Sequence, residues 1–175
     1  MFVFDYSRAA RPAALCCAVA VGALIIWTVS ALAADLPKSG EAAFDRYQIA
    51  RIISSVQGPV GKGVLWEDTG VTRNVKGEQP WDKLVDRRQG TATVIGEDWS
   101  RESGNCVKKD KDGDQIFVTW QGGDWAIVGG TGKYKGITGT GTTKFDFKQD
   151  SLEDRPDGWV NVIHHTVKWQ INGAS

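Results

Sequence analysis

Trp159-Val160-Asn161-Val162-Ile163-His164-His165-Thr166-Val167-Lys168-Trp169-Gln170-Ile171, near the end of the chain, alternates without a break. Trp159, Asn161, Ile163, His165, Val167, Trp169 and Ile171 fall on one side. Val160, Val162, His164, Thr166, Lys168 and Gln170 fall on the other. A period of two over so many residues is a β-strand with two unlike faces. The aromatic-rich side is expected to look inward, with His165 and Asn161 inside and His164 outside.

The same texture extends upstream. Short β-branched and aromatic runs occupy 47–54, 63–67, 89–97, 105–109, 115–120, 125–129, 138–149 and 158–171, separated by Gly, Asp and Asn clusters. No segment sustains a 3.6-residue apolar period, so the chain reads as all-β. Eight runs suit an antiparallel, calycin-like barrel. Closure would remove the edges that two long final strands otherwise expose to other chains. Gly90, Gly96, Gly139 and Gly141 lie within the runs, where glycine permits sharp bends. An open β-sandwich is the alternative. Residues 69–86, which include Pro80-Trp81, read as a long loop. Residues 34–46 read as a flexible lead-in, and 47–175 as the barrel domain.

The first 33 residues read as a signal peptide. Arg8 and Arg11 precede a charge-free run from Pro12 to Ala34, with Ala31-Leu32-Ala33 as a cleavage site. The expected location is therefore periplasmic or extracellular, with no stable membrane anchor after cleavage. The competing reading is an uncleaved anchor, because the uncharged run is long enough to span a bilayer. Removing residues 1–33 of the 175 leaves 142, enough for one domain with a core of its own. Cys106 is the only cysteine in that part, so no intramolecular disulfide can form. Its 19 Lys and Arg are mixed with 20 Asp and Glu, and no basic stripe points to nucleic acid.

The most distinctive stretch is Gly129-Gly130-Thr131-Gly132-Lys133-Tyr134-Lys135-Gly136-Ile137-Thr138-Gly139-Thr140-Gly141-Thr142. Gly-Thr-Gly-Lys suggests a phosphate loop, but Tyr134 follows Lys133 and a strand, not a helix, comes next. A compact turn is expected instead, built on Gly130, Gly132, Tyr134 and Gly136, with Tyr134 plugging one end of the barrel.

This segment, with the hairpin from Asp112 to Trp120, resembles the barrel family of allene oxide cyclases and dirigent proteins; secreted bacterial proteins carry it too. The resemblance implies an eight-stranded barrel with a partly apolar cavity. Dirigent proteins orient phenoxy radicals for coupling, and allene oxide cyclases fold a fatty-acid epoxide for ring closure. The acidic and aromatic active-site positions of those groups have no match here, so neither activity carries over.

Candidate chemistry is sparse. Asp110, Asp112 and Asp114 suggest calcium, but Gly113 precedes the third aspartate and no glutamate closes such a loop. Asp112-Gly113 reads better as a hairpin turn, and no metal or cofactor is expected. His164 and His165 point to opposite faces and cannot readily share one ion. No Ser-His-Asp order, close acidic pair or Cys/His cluster stands out, so no catalytic residue is assigned. The expected site is an apolar lumen: Phe145, Phe147, Trp159 and Trp169 as walls, Asn161 and His165 as polar contacts. Trp81, Trp99 and Trp125, if exposed, offer platforms for sugars.

These residues favour non-catalytic binding of a small apolar or aromatic molecule. An enzyme that steers a reactive intermediate by shape, with His165 as acid or base, is the first alternative. An interaction module using the outer face (Val160, Val162) is the second, and leaves homo-oligomerisation open.

Overall fold

A computed structural model describes residues 36–152 and 155–173, with side chains described outside 146–157. The signal peptide expected over 1–33 lies outside the described residues. The barrel lies within the unit Ala34–Ser175.

Eight strands follow one another: β1 Ser39–Gln57, β2 Lys62–Arg73, β3 Val85–Ile95, β4 Asp98–Lys109, β5 Gln115–Gln121, β6 Asp124–Gly130, β7 Ile137–Leu152 and β8 Arg155–Ile171. Each pairs antiparallel with the next, and β8 pairs back onto β1 from Ser39↔Gln170 to Arg51↔Gly158. The sheet is therefore a closed barrel. The open sandwich is excluded. β1 starts at Ser39, so 39–46, expected as a lead-in, is barrel wall. That segment pairs with residues 163–170 of β8, which lends it the order its own sequence does not signal. The loop expected over 69–86 is shorter, because β2 runs on to Arg73 and β3 begins at Val85.

Along β8 the inward residues are Trp159, Asn161, Ile163, His165, Val167 and Trp169, all buried. Two apolar clusters close the barrel. At the end holding the β2–β3, β4–β5 and β6–β7 connections, Phe44, Trp81, Ile116, Tyr134, Ile137 and Trp169 pack together. Trp81 comes from the β2–β3 loop, is 0% exposed, and stacks on Phe44 at 5.3 Å between centroids. Trp125 is also buried and Trp99 partly so; none of the three is an open platform for sugars, because the barrel needs their area to fill its ends. At the opposite end Ala50, Val64, Trp66, Ala92 and Trp159 form a smaller cluster, with Trp99 and Trp120 against it.

The glycine-rich connection folds into a single 3₁₀ turn, Gly132–Tyr134, with Tyr134 fully buried. Gly132 has φ +51°, and a Cβ there would overlap the Asp114 carboxylate, so only glycine fits without displacement. Asp110 Oδ1 accepts the N–H groups of Asp112 and Asp114 at 2.9 and 3.0 Å. Asp110 Oδ2 accepts the Tyr134 hydroxyl at 2.9 Å, and Lys133 Nζ lies between Asp110 and Asp112. A lysine thus occupies the place a cation would take, and the aspartates serve the turn.

Candidate functional site

Between the two apolar clusters the lumen is ionic, against the expectation of an apolar interior. Register creates the arrangement. Asp68 on β2 lies directly opposite Arg88 on β3, and Asp86 on β3 directly opposite Lys108 on β4. Arg88 Nη2 donates to Asp68 Oδ2 and to Gln48 Oε1, each at 2.7 Å. Lys108 Nζ donates to Asp86 Oδ2 at 2.7 Å. Arg46, from β1, binds both carboxylates: Nε donates to Asp86 at 2.9–3.0 Å and Nη2 contacts Asp68 and Asp86.

Burial alone would push the Asp86 carboxyl upward, but the Lys108 and Arg46 charges outweigh it and hold the group well below the usual carboxylate range. Arg46 is correspondingly locked in its charged form, its burial outweighed by Asp86 and Asp68. Isolated buried charges are prohibitive, so this cluster survives only as a mutually satisfied set. Aromatic rings enclose it. The Arg88 guanidinium carbon lies 5.3 Å from the Trp66 ring and 5.1 Å from Trp120, and Lys108 Nζ lies 5.7 Å from Phe44.

The barrel wall has a gap beside this cluster. β5 and β6 are seven residues each, whereas β7 and β8 have 16 and 17. β4 pairs with β5 only over 103–109, and β6 pairs with β7 only over 124–127. Residues 98–102 of β4 and the part of β7 beyond Thr142 therefore have no strand between them. The tip of the β5–β6 hairpin spans the gap with two hydrogen bonds. Gly122 N–H donates to Glu102 O at 2.7 Å, and Thr143 N–H donates to Gly123 O at 2.9 Å. Above them is a side window with Glu102 on one jamb and Phe145, 53% exposed, on the other.

Behind the window lies a cavity of about 30 Å³, room for a water or two. Arg46, Arg88, Lys108, Trp120, Trp125 and His165 line it, with Phe44, Cys106 and Thr143. Trp125 can lie across the lumen because β7 offers Gly141 there, where a Cβ would overlap the indole. His165 stacks on Phe44 at 5.0 Å, meets Trp125 edge-on at 5.7 Å, and shares a 3.2 Å hydrogen bond through Nδ1 with Thr143 Oγ1. Burial, with Lys108, Arg88 and Arg46 nearby, holds its ring well below the usual histidine range, so it is neutral at pH 7. Burial lifts the Glu102 carboxyl above its usual range, with Asp68 adding to the effect and Arg88 opposing it. Burial likewise pushes the Cys106 thiol up, away from a reactive thiolate.

The residues expected from sequence to form one site are dispersed. Phe145 and His165 meet at the cavity. Trp159 packs close to Trp66 and Trp99 in the smaller cluster, and Trp169 belongs to the cluster at the end that Trp81 fills. Asn161 is buried, its Oδ1 without a protein partner, but it does not line the cavity. The side chain of Phe147 lies outside those described. Sequence reasoning missed Arg46, Arg88, Glu102 and Lys108. Their charges sat on inward positions that only strand register reveals. Run lengths did not signal the window, because the fourth run read from sequence, 105–109, was as short as the fifth and sixth; only the structure extends β4 back to Asp98.

The fold and site together define a closed eight-stranded barrel with an ionic, aromatic-walled lumen and a side window. No protein-family model matches the chain, and no curated protein does. Among solved structures the chain is similar to the pterocarpan synthase dirigent protein GePTS1, at 17% identity over 79% of this chain and 90% of that chain, with a TM-score of 0.47.

Proposed function

We propose that this is an exported, non-catalytic barrel that holds a small aromatic molecule at the side window. One observation carries the reading: the window joins an exposed aromatic lip, Phe145, to a cavity walled by Trp120, Trp125 and Phe44 and furnished with buried polar groups. Aromatic walls with a few fixed polar atoms are the usual make-up of a small-molecule site. The cavity of about 30 Å³ is far below the several hundred typical of such sites, so a ligand enters by displacing Phe145 and the Gly122–Gly123 hairpin tip. Two backbone hydrogen bonds span the gap from that tip, and the strands on either side of it are short.

The test is calorimetric titration of the purified protein with monocyclic and bicyclic aromatics, repeated with Phe145→Asp. Saturable binding that the variant loses supports the window. Equal binding by the variant would place the site elsewhere.

A second reading is favoured by the outer face. Val162, Tyr47, Val71 and Val85 lie directly opposite one another on β8, β1, β2 and β3, and the last three are exposed. With Ile49, also exposed, they form an apolar band suited to a protein partner or a second copy. Light scattering on the protein and on Tyr47→Lys/Val71→Lys tests it: a larger species that the double variant dissociates supports docking between copies, and a monomer in both removes that form of the reading.

A further inference from the structure

The polar chemistry of the cavity narrows the ligand class, on the assumption that the window reading above is right. Arg46, Trp120, Trp125 and His165 all line the cavity, and each keeps a buried nitrogen with no partner among the described residues: Arg46 Nη1, Trp120 Nε1, Trp125 Nε1 and His165 Nε2. The first three can only donate. His165 Nε2 also donates when Nδ1 accepts the Thr143 hydroxyl. Among the described lining residues, no buried side-chain oxygen is left in the same condition. The cavity therefore presents an excess of donors and calls for acceptors.

The charges point the same way. Three cations, Arg46, Arg88 and Lys108, line the cavity. Asp68 and Asp86 are already bound to them and do not line it. Among the described residues Glu102 is the one lining carboxylate, and it stands at the lip.

We propose that the ligand is an aromatic carboxylate whose acid group enters the cavity toward Arg46, Trp125 and His165 while its ring stays in the window between Phe145 and Trp120. A carboxylate supplies two acceptor oxygens on a flat head, matching a space that holds a water or two. Charge-assisted hydrogen bonds to a guanidinium in a low-dielectric interior would then supply most of the selectivity. Glu102 opposes an incoming anion when ionised, and its burial-raised carboxyl lessens that opposition as the pH falls.

The test compares benzoate with its neutral isostere benzamide by calorimetry at pH 7, on the wild type, Glu102→Gln and Phe145→Asp. Benzoate is expected to bind at least about tenfold tighter than benzamide, the scale of one charge-assisted contact in place of a neutral one. Glu102→Gln should tighten benzoate roughly threefold and raise the benzoate-to-benzamide affinity ratio, because the anion no longer meets the removed charge. Phe145→Asp should weaken benzoate. Equal or tighter binding of benzamide overturns the carboxylate assignment while leaving the window intact. Absence of binding by either probe overturns both. A benzoate preference untouched by both variants places the anion site outside the window and overturns the assignment.

Discussion

Asp86 and Lys108 face each other across β3 and β4 inside the barrel, with Lys108 Nζ 2.7 Å from Asp86 Oδ2 and both side chains almost wholly shielded from solvent. The pair joins the two halves of the charge cluster, because Asp86 also binds Arg46. Its depressed carboxyl contributes stability that is present above the unfolded aspartate range and is lost only as the pH falls through the lower folded value.

Asp86→Asn removes the negative charge and leaves Arg46 and Lys108 facing each other in the interior. The expected cost is about 3–5 kcal/mol, the scale for breaking a buried ion pair from one side. Urea unfolding measures it. Adding Lys108→Met should recover part of the loss, since the orphaned cation goes with it. A double variant as unstable as the sum of the singles would contradict the coupling.

His165 gives a pH signature of the opposite chemical type. Its folded-state value is depressed, by burial first and by Lys108, Arg88 and Arg46 next, with Asp86 pulling weakly the other way. The unfolded chain therefore binds a proton the folded chain refuses, and stability falls as the pH drops below about 6.5. The slope is about 1.4 kcal/mol per pH unit while that difference lasts. In His165→Gln this component is absent. The difference between the two stability curves from pH 7.5 to 5 isolates it, and parallel curves would show that the ring is protonated inside the barrel.

Trp81 closes one end of the barrel from a loop, stacked on Phe44. Trp81→Ala leaves that end unfilled, and a loss of roughly 3–5 kcal/mol is expected, as for other large aromatic truncations in cores. Chemical denaturation reads it directly. A loss below about 1 kcal/mol would mean that the loop collapses to refill the space.

Gly141→Ala places a methyl group where the Trp125 indole lies. Overpacking of this kind costs roughly 1–3 kcal/mol and forces the ring to move. The near-UV circular dichroism of the tryptophans should change along with stability. An unaltered spectrum would show that the backbone of β7, not the indole, gives way.

Much of the architecture could be read from the chain, and the lumen could not. β8 declared itself because its two faces differ in chemistry, and Gly132 and Tyr134 marked a turn whose strain only glycine relieves. β1 shows the limit. Its more apolar alternate face carries Tyr47, Ile49 and Ile53, yet that face is exposed, while Arg46 and Gln48 are buried. Alternation gives two faces, but burial depends on what lies opposite. Arg46 is tolerated inside because Asp68 and Asp86, 22 and 40 residues away, arrive at the same height in the closed sheet. No local pattern encodes that meeting. Trp159 and Trp169 were grouped on a shared face, which is where they lie, but ten residues of extended strand carry them into different clusters.

The most direct test of the window is the response of the tryptophan indole N–H signals to an added aromatic ligand in a ¹H–¹⁵N NMR titration, with assignments from single Trp→Phe variants. Trp120 and Trp125 line the cavity, whereas Trp169 does not line it and packs at the end of the barrel that Trp81 fills. The account predicts saturable shifts at Trp120 and Trp125, with Trp169 nearly still. Saturable binding that leaves Trp120 and Trp125 unmoved would contradict it and place the ligand outside the lumen.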